Sequence, residues 1–132
     1  MLLARDRDRL RGVHPDLIQM VEKAREKVTF FVGEGLRSRA RQAELLAQGF
    51  SRTMNSRHLT GHAVDLIPWT DKDRDGQVDQ DEIDWRDGRS FKAVADAMKE
   101  AAAELGLQVE WGGDWKSFYD GPHWQLPWDR YP

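Results

Sequence analysis

Apolar residues recur along the chain with two different periods, and the switches between them outline the elements. After Pro15, which suits the first turn of a helix, Leu17, Met20, Val21, Ala24 and Val28 follow at helical spacing, predicting an amphipathic helix over 15–27. The run Val28-Thr29-Phe30-Phe31-Val32 is β-prone and predicts a strand ending at Gly33. Residues 39–48, RARQAELLAQ, return to helical character and are closed by Gly49. Over 62–67 the pattern alternates: Ala63, Asp65 and Ile67 share one face of a predicted strand, and His62, Val64 and Leu66 share the other. A third helix is predicted over about 90–105, with Phe91, Val94, Met98, Ala101, Ala102 and Leu105 on one stripe and Gly106 as its stop. Residues 107–111 and 123–126 read as strands separated by the turn-rich GGDWKSFYDGP.

Short strands mixed with helices, without regular βαβ alternation, predict a small α+β domain with about three helices around an antiparallel sheet. The 132 residues suffice for one domain with a core, so 1–132 is expected to be a single domain. No internal repeat or low-complexity linker interrupts it. The opening Met1-Leu2-Leu3-Ala4 is too short an apolar run for a signal peptide, and no stretch approaches membrane-spanning length, so a soluble protein made in the cytoplasm is expected.

Charge changes the picture in one place. Residues 71–87 carry eight acids against three basic residues, a local charge of −5, which leaves the rest of the chain at +2. A mildly basic body favours an anionic polymer as partner. The absence of cysteine excludes disulfides and thiolate metal sites, so any metal must be held by imidazole and carboxylate.

Two segments supply such ligands. SRHLTGHAVD, residues 56–65, holds two histidines and an aspartate, and YDGPHWQ, residues 119–125, sets Asp120 three residues before His123. His58, Asp65 and His123 match the three protein ligands of a catalytic zinc site, and Gly61 allows the intervening loop to fold back. Asp120 is the natural base beside them. His62 stands four residues from His58, a ligand spacing on a helix, but the predicted strand and the Gly61 turn place it outside the site. His14, just before Pro15, belongs to a helix entrance; Glu110 and Asp114 either line the cleft or serve as caps and turns. Trp111, Trp115, Trp124 and Trp128 are expected in the core and the cleft walls.

These residues resemble a known family. SRHLTGHAVD matches the Ser-x-His-x-x-Gly-x-Ala-x-Asp motif, and DGPHWQ the downstream acid-x-x-His-Trp motif, of the D-alanyl-D-alanine carboxypeptidase and dipeptidase zinc peptidases. GLRSRARQAELLAQG, residues 35–49, looks like that family's Gly-x-Arg-Ser-x-x-x-Gln segment, and GVHPDLIQMVEKA resembles the opening helix of its phage members. Within the family the chain is similar to phage endolysins that cut the L-alanyl-D-glutamate bond of the peptidoglycan stem peptide. The resemblance implies that His58, Asp65 and His123 hold zinc on the sheet, that Asp120 is the general base, that Arg37 polarises the scissile carbonyl and that Ser56 supports the ligands from behind. Dipeptidase relatives carry glutamate at the base position, so the shorter Asp120 leans toward the endopeptidase branch. A monomer that acts on the cell wall after release from the host cytoplasm is implied, without nucleic-acid binding or membrane insertion.

The acidic stretch is a separate matter. DKDRDGQVDQDE matches the twelve-residue EF-hand loop: Asp71, Asp73 and Asp75 at the first, third and fifth positions, Gly76 at the sixth, the Gln77 carbonyl at the seventh, Asp79 at the ninth and Glu82 at the twelfth. Pro68-Trp69 opposes a helix leading into it, so an EF-hand-like loop without a full helix pair is expected, with Ca2+ ordering it and modulating the adjacent zinc site. Two rival functions remain at this level: a D-alanyl-D-alanine carboxypeptidase, and a calcium-responsive wall-binding module without catalysis.

Overall fold

The computed structural model describes residues 2–51, 54–69, 88–116 and 119–131, with side chains described from residue 90 onward in the third of these segments. Helices α1 (Ala4–Arg9) and α2 (Pro15–Arg25) lead into β1 (Phe30–Glu34); α3 (Arg39–Ala47) and a 3-10 turn (Arg57–Thr60) precede β2 (Ala63–Pro68). Helix α4 (Gly88–Leu105) is followed by β3 (Glu110–Trp111), a 3-10 turn (Gly112–Asp114) and β4 (His123–Gln125). The four strands form one sheet in the order β1-β2-β4-β3, and each neighbouring pair is antiparallel. The architecture is the α+β domain that the periodicity predicts, with four α-helices among the described residues in place of about three. The expected EF-hand-like insert over 71–82 lies outside the described residues.

The sheet has one greasy face and one polar face. Val32, Val64, Leu66, Trp111 and Trp124 join Leu17, Met20, Val21 and Ala24 of α2 and Phe91, Val94 and Met98 of α4 in the core. Trp111 and Trp124 stack across the β3–β4 pair with centroids 5.8 Å apart, so the largest side chain of the core is fixed by its cross-strand neighbour. Alternation then turns Asp65, His123 and Gln125 to the opposite face.

Four elements have shifted boundaries. The helix from Pro15 closes at Arg25, and the two C-terminal strands contract to Glu110–Trp111 and His123–Gln125, which pair over Glu110–Gln125 and Trp111–Trp124. The strand expected to end at Gly33 instead spans Phe30–Glu34 and continues through that glycine. Val32 pairs with Leu66 and Glu34 with Asp65, so Gly33 is the extra residue of a bulge. Regular alternation would turn Glu34 toward the core; the bulge sets it opposite Asp65 on the polar face instead.

Helix α1 was not expected, because ARDRDR has no apolar stripe. Its role is polar. Asp6, fully buried, accepts hydrogen bonds from the Val32 N–H at 2.9 Å and the Leu3 N–H at 3.0 Å, while Arg9 donates to the Val32 carbonyl at 2.7 Å. The outward-facing backbone groups of Val32, on the edge strand, are thus satisfied by side chains.

Candidate active site

The polar face of the sheet opens into a cleft of about 580 Å3 lined by residues that include Arg37, His58, Asp65, Asp120, His123 and Trp128. Asp65 lies between Glu34 and His123 in adjacent strands, which puts three ionisable groups in one row across the sheet. His58 reaches the row from the 3-10 turn. Ser56 starts that turn by accepting a hydrogen bond from the His58 N–H at 3.2 Å. Gly61 ends it in the left-handed region (φ 75°), and a side chain there would run into the Gly12 carbonyl oxygen.

His58, Asp65 and His123 each offer one ligand atom within 4.8 Å of the others. His58 Nε2 and His123 Nδ1 face the same Asp65 oxygen at 3.3 and 3.6 Å. Ligand atoms at ~2.0–2.2 Å around one tetrahedral ion stand roughly 3.3–3.6 Å apart, so both contacts to Asp65 have the spacing of a divalent-cation site.

The outer nitrogens are also fixed. His58 Nδ1 donates to the Gly35 carbonyl at 2.8 Å, and His123 Nε2 donates to Gln125 Oε1 at 2.8 Å. Gln125 Nε2 in turn donates to Glu110 Oε2 at 3.2 Å across the β3–β4 pair. Because each outer nitrogen keeps its proton on a fixed acceptor, a cation taken up at the shared point would displace the inner protons and meet a lone pair from each imidazole. Gly35, Gln125 and Glu110 as histidine supports are absent from the sequence reading. Gln125 leaves a trace there, two residues from His123 on the same face of a strand, and Glu110 figures only as a cleft or turn residue.

Electrostatics follow from this packing. Burial would raise the Asp65 carboxyl, but the His58 charge and hydrogen bonds from His123 and His58 outweigh it and hold Asp65 far below the usual carboxylate range. Burial raises Asp120, and the Asp65 charge adds to that, against lowering by His123, His58 and Arg37. Asp120 is held by a hydrogen bond from its N–H to the Gly112 carbonyl at 3.0 Å, and its own carbonyl accepts from the His123 N–H at 3.1 Å. Gly112 is close-packed against it: a side chain there would meet Asp120. Base candidate and ligand candidate therefore share one tight loop.

Arg37 lies at the other side of Asp65, 9% exposed, with Nη2 at 3.5 Å from Asp65 Oδ2. Its Nε donates to Glu34 at 2.6 Å, its Nη1 donates to Gln42 Oε1 at 2.8 Å, and Nη2 also pairs with Glu34. The bulge at Gly33 is what brings Glu34 to this task. Gln42, the last residue of the Gly-x-Arg-Ser-x-x-x-Gln segment, is fully buried beneath the arginine.

The remaining candidates fall elsewhere. His62 bonds Thr60 Oγ1 through Nδ1 at 2.7 Å and takes no part in the His58, Asp65, His123 group. His14 caps α2 by accepting from the Asp16 N–H at 3.0 Å. Asp114 pairs with Lys99 at 2.9 Å rather than lining the cleft. Trp111 and Trp124 are core, whereas Trp115 and Trp128 line the cleft, and Trp128 lies 4.0 Å over the Arg57 guanidinium. Asp71, Asp73, Asp75, Gln77, Asp79 and Glu82 lie outside the described residues.

Comparison with known proteins gives a consistent set. The family described as phage L-alanyl-D-glutamate peptidase matches over residues 1–126. The L-alanyl-D-glutamate peptidase of Escherichia phage T5 is 31% identical over 133 aligned positions, covering 89% of this chain and 90% of that protein. The protein of the same name from Listeria phage A118 is 34% identical, covering 79% of this chain but 32% of its own length. Among solved structures, the Serratia marcescens L-Ala D-Glu endopeptidase ChiX superposes with a TM-score of 0.80 at 45% identity, over 98% of this chain and 91% of that one.

Proposed function

The chain belongs to the phage L-alanyl-D-glutamate peptidase family, and on that premise we propose that it is a zinc-dependent endopeptidase that cuts the L-alanyl-D-glutamate bond of the peptidoglycan stem peptide. The observation that carries this reading is the convergence of His58, Asp65 and His123 in one cleft with Asp120 and Arg37. Their chemistry, imidazole and carboxylate with the imidazole tautomers set from outside, suits zinc.

Zinc held there would supply a Lewis acid and a water of lowered pKa. Asp120 takes the proton of the attacking water as its oxygen bonds to the alanyl carbonyl carbon, and delivers it to the glutamate nitrogen as the C–N bond breaks. Arg37 stabilises the negative charge that develops on the carbonyl oxygen, a task for which its permanent charge and fixed fork suit it. Glu34 and Gln42 aim that guanidinium, and Ser56 sets the turn that carries His58.

The proposal extends to context. The protein serves as a phage endolysin that acts as a monomer on the host wall at lysis. No helix among the described residues is long and apolar enough to cross a membrane. The twelve-position match over Asp71–Glu82 supports a Ca2+ site that modulates the enzyme from the segment following β2.

Mass spectrometry of purified peptidoglycan digested with zinc present, and calcium either supplied or chelated, tests the whole reading. Fragments with a new D-glutamate amino terminus are expected, with faster release when calcium is present. Release of terminal D-alanine alone assigns the chain to carboxypeptidase chemistry, and intact peptidoglycan under both conditions leaves a wall-binding module. Equal rates and equal melting temperatures with and without calcium remove the calcium site from the proposal.

A further inference from the structure

Three arginines line the cleft among the described residues, and two are committed. Arg57 is 3% exposed, and its guanidinium donates to the carbonyls of Leu126 and Tyr131. Arg37 has all three nitrogens bound to Glu34, Gln42 or Asp65. Arg41 differs. Its side chain is 47% exposed, and its guanidinium contacts are Glu34 at 3.6 Å and Glu44 at 3.7 Å, beyond hydrogen-bond length.

Neither contact explains why a cation stands there. An exposed pair three residues apart on a helix contributes little. Glu34 is already matched by Arg37, which binds it far more closely. What remains is a guanidinium with its donors available, on the cleft wall, one carboxylate removed from the arginine that touches Asp65.

The proposed substrate supplies the missing partner. Glutamate has two carboxyl groups, and the peptide continues through only one of them. The other remains a free anion a few bonds from the nitrogen released by cleavage. We propose that Arg41 is the specificity-determining residue that binds this free carboxylate of the glutamate on the leaving side of the scissile bond. This inference rests on the peptidase reading above. Arginine fits a carboxylate with two parallel hydrogen bonds, which a carboxamide cannot reproduce because half of it is a donor.

Two synthetic peptides test this: an acylated L-alanyl-D-glutamyl peptide with the second glutamate carboxyl free, and the same peptide with that group as carboxamide. The ratio of kcat/KM for acid over amide is measured for the wild type, Arg41→Gln and Arg41→Lys. Binding of both peptides to Asp120→Asn, with and without Arg41→Gln, is measured by titration calorimetry. The wild type is expected to favour the acid by about tenfold or more, the strength of a hydrogen bond to a charged group. Arg41→Gln brings the ratio close to one, Arg41→Lys keeps an intermediate value, and the Asp120→Asn background shows the same loss in Kd. Cleavage of both peptides with a ratio near one in the wild type, or a ratio unchanged in Arg41→Gln, overturns the role of Arg41 while leaving the peptidase intact. Cleavage of neither peptide by the wild type overturns the peptidase reading and this assignment with it.

Discussion

The two histidines of the site face the same carboxylate oxygen, yet the regions behind them are built on different principles. Behind His58 is main chain: its outer nitrogen donates to the carbonyl of Gly35, in the loop that follows β1. Behind His123 is a relay of side chains, Gln125 and then Glu110, laid across two strands. A carbonyl cannot be deleted by substitution, whereas either member of the relay can. The difference teaches that equivalent ligands can have unequal exposure to mutation, and that the weaker side is the one on β3 and β4.

The largest effect expected is loss of a ligand itself. His123→Ala should reduce bound zinc to background by elemental analysis and abolish hydrolysis; zinc retained at wild-type stoichiometry would break the comparison at its base. Asp120→Asn should keep zinc and lower kcat by ~10^2–10^4-fold, the range of general-base catalysis, as read by peptide release. Next, Gln125→Ala should weaken zinc binding by ~10–100-fold in a competition titration, since it strips the acceptor from His123 Nε2. Smallest is Glu110→Ala, which leaves Gln125 in place but unoriented; a loss toward roughly the lower end of that range is expected. Should Glu110→Ala weaken zinc as much as Gln125→Ala, the relay acts as one unit rather than as two graded steps.

These supports also mark how far the sequence could be read. His58, Asp65, His123 and Asp120 stand in two short polar motifs, and the predicted strand with the Gly61 turn sets His62 apart from them. The amphipathic stripes of α2 and α4 reveal the core, because burial of one face imposes its period on the residues. Helix α1 escapes that logic: it is tied down by Asp6 and Arg9 through hydrogen bonds to β1, and a pair of charges has no period. The Gly33 bulge escapes it too, since a bulge is a property of two paired strands, and with it goes the position of Glu34 beside Arg37. The Gly35 carbonyl is invisible for a simpler reason: every residue has one, and only the fold says which is aimed at an imidazole. The relay needs the β3–β4 register, which two and three residues of strand do not announce. The acidic EF-hand match is read from its spacing alone.

The side chains that occupy the outer edge of β1 have a consequence for the protein in crowded solution. An open strand edge is a template on which a second polypeptide can add its own strand, the first step of aggregation. At Val32 that template is already filled: Asp6 holds the donor and Arg9 the acceptor, both from the same molecule. The charged little helix that the hydrophobic pattern could not foresee therefore works as a guard against self-association, and a sequence of alternating aspartate and arginine is suited to that work because it offers an incoming strand nothing apolar to cover.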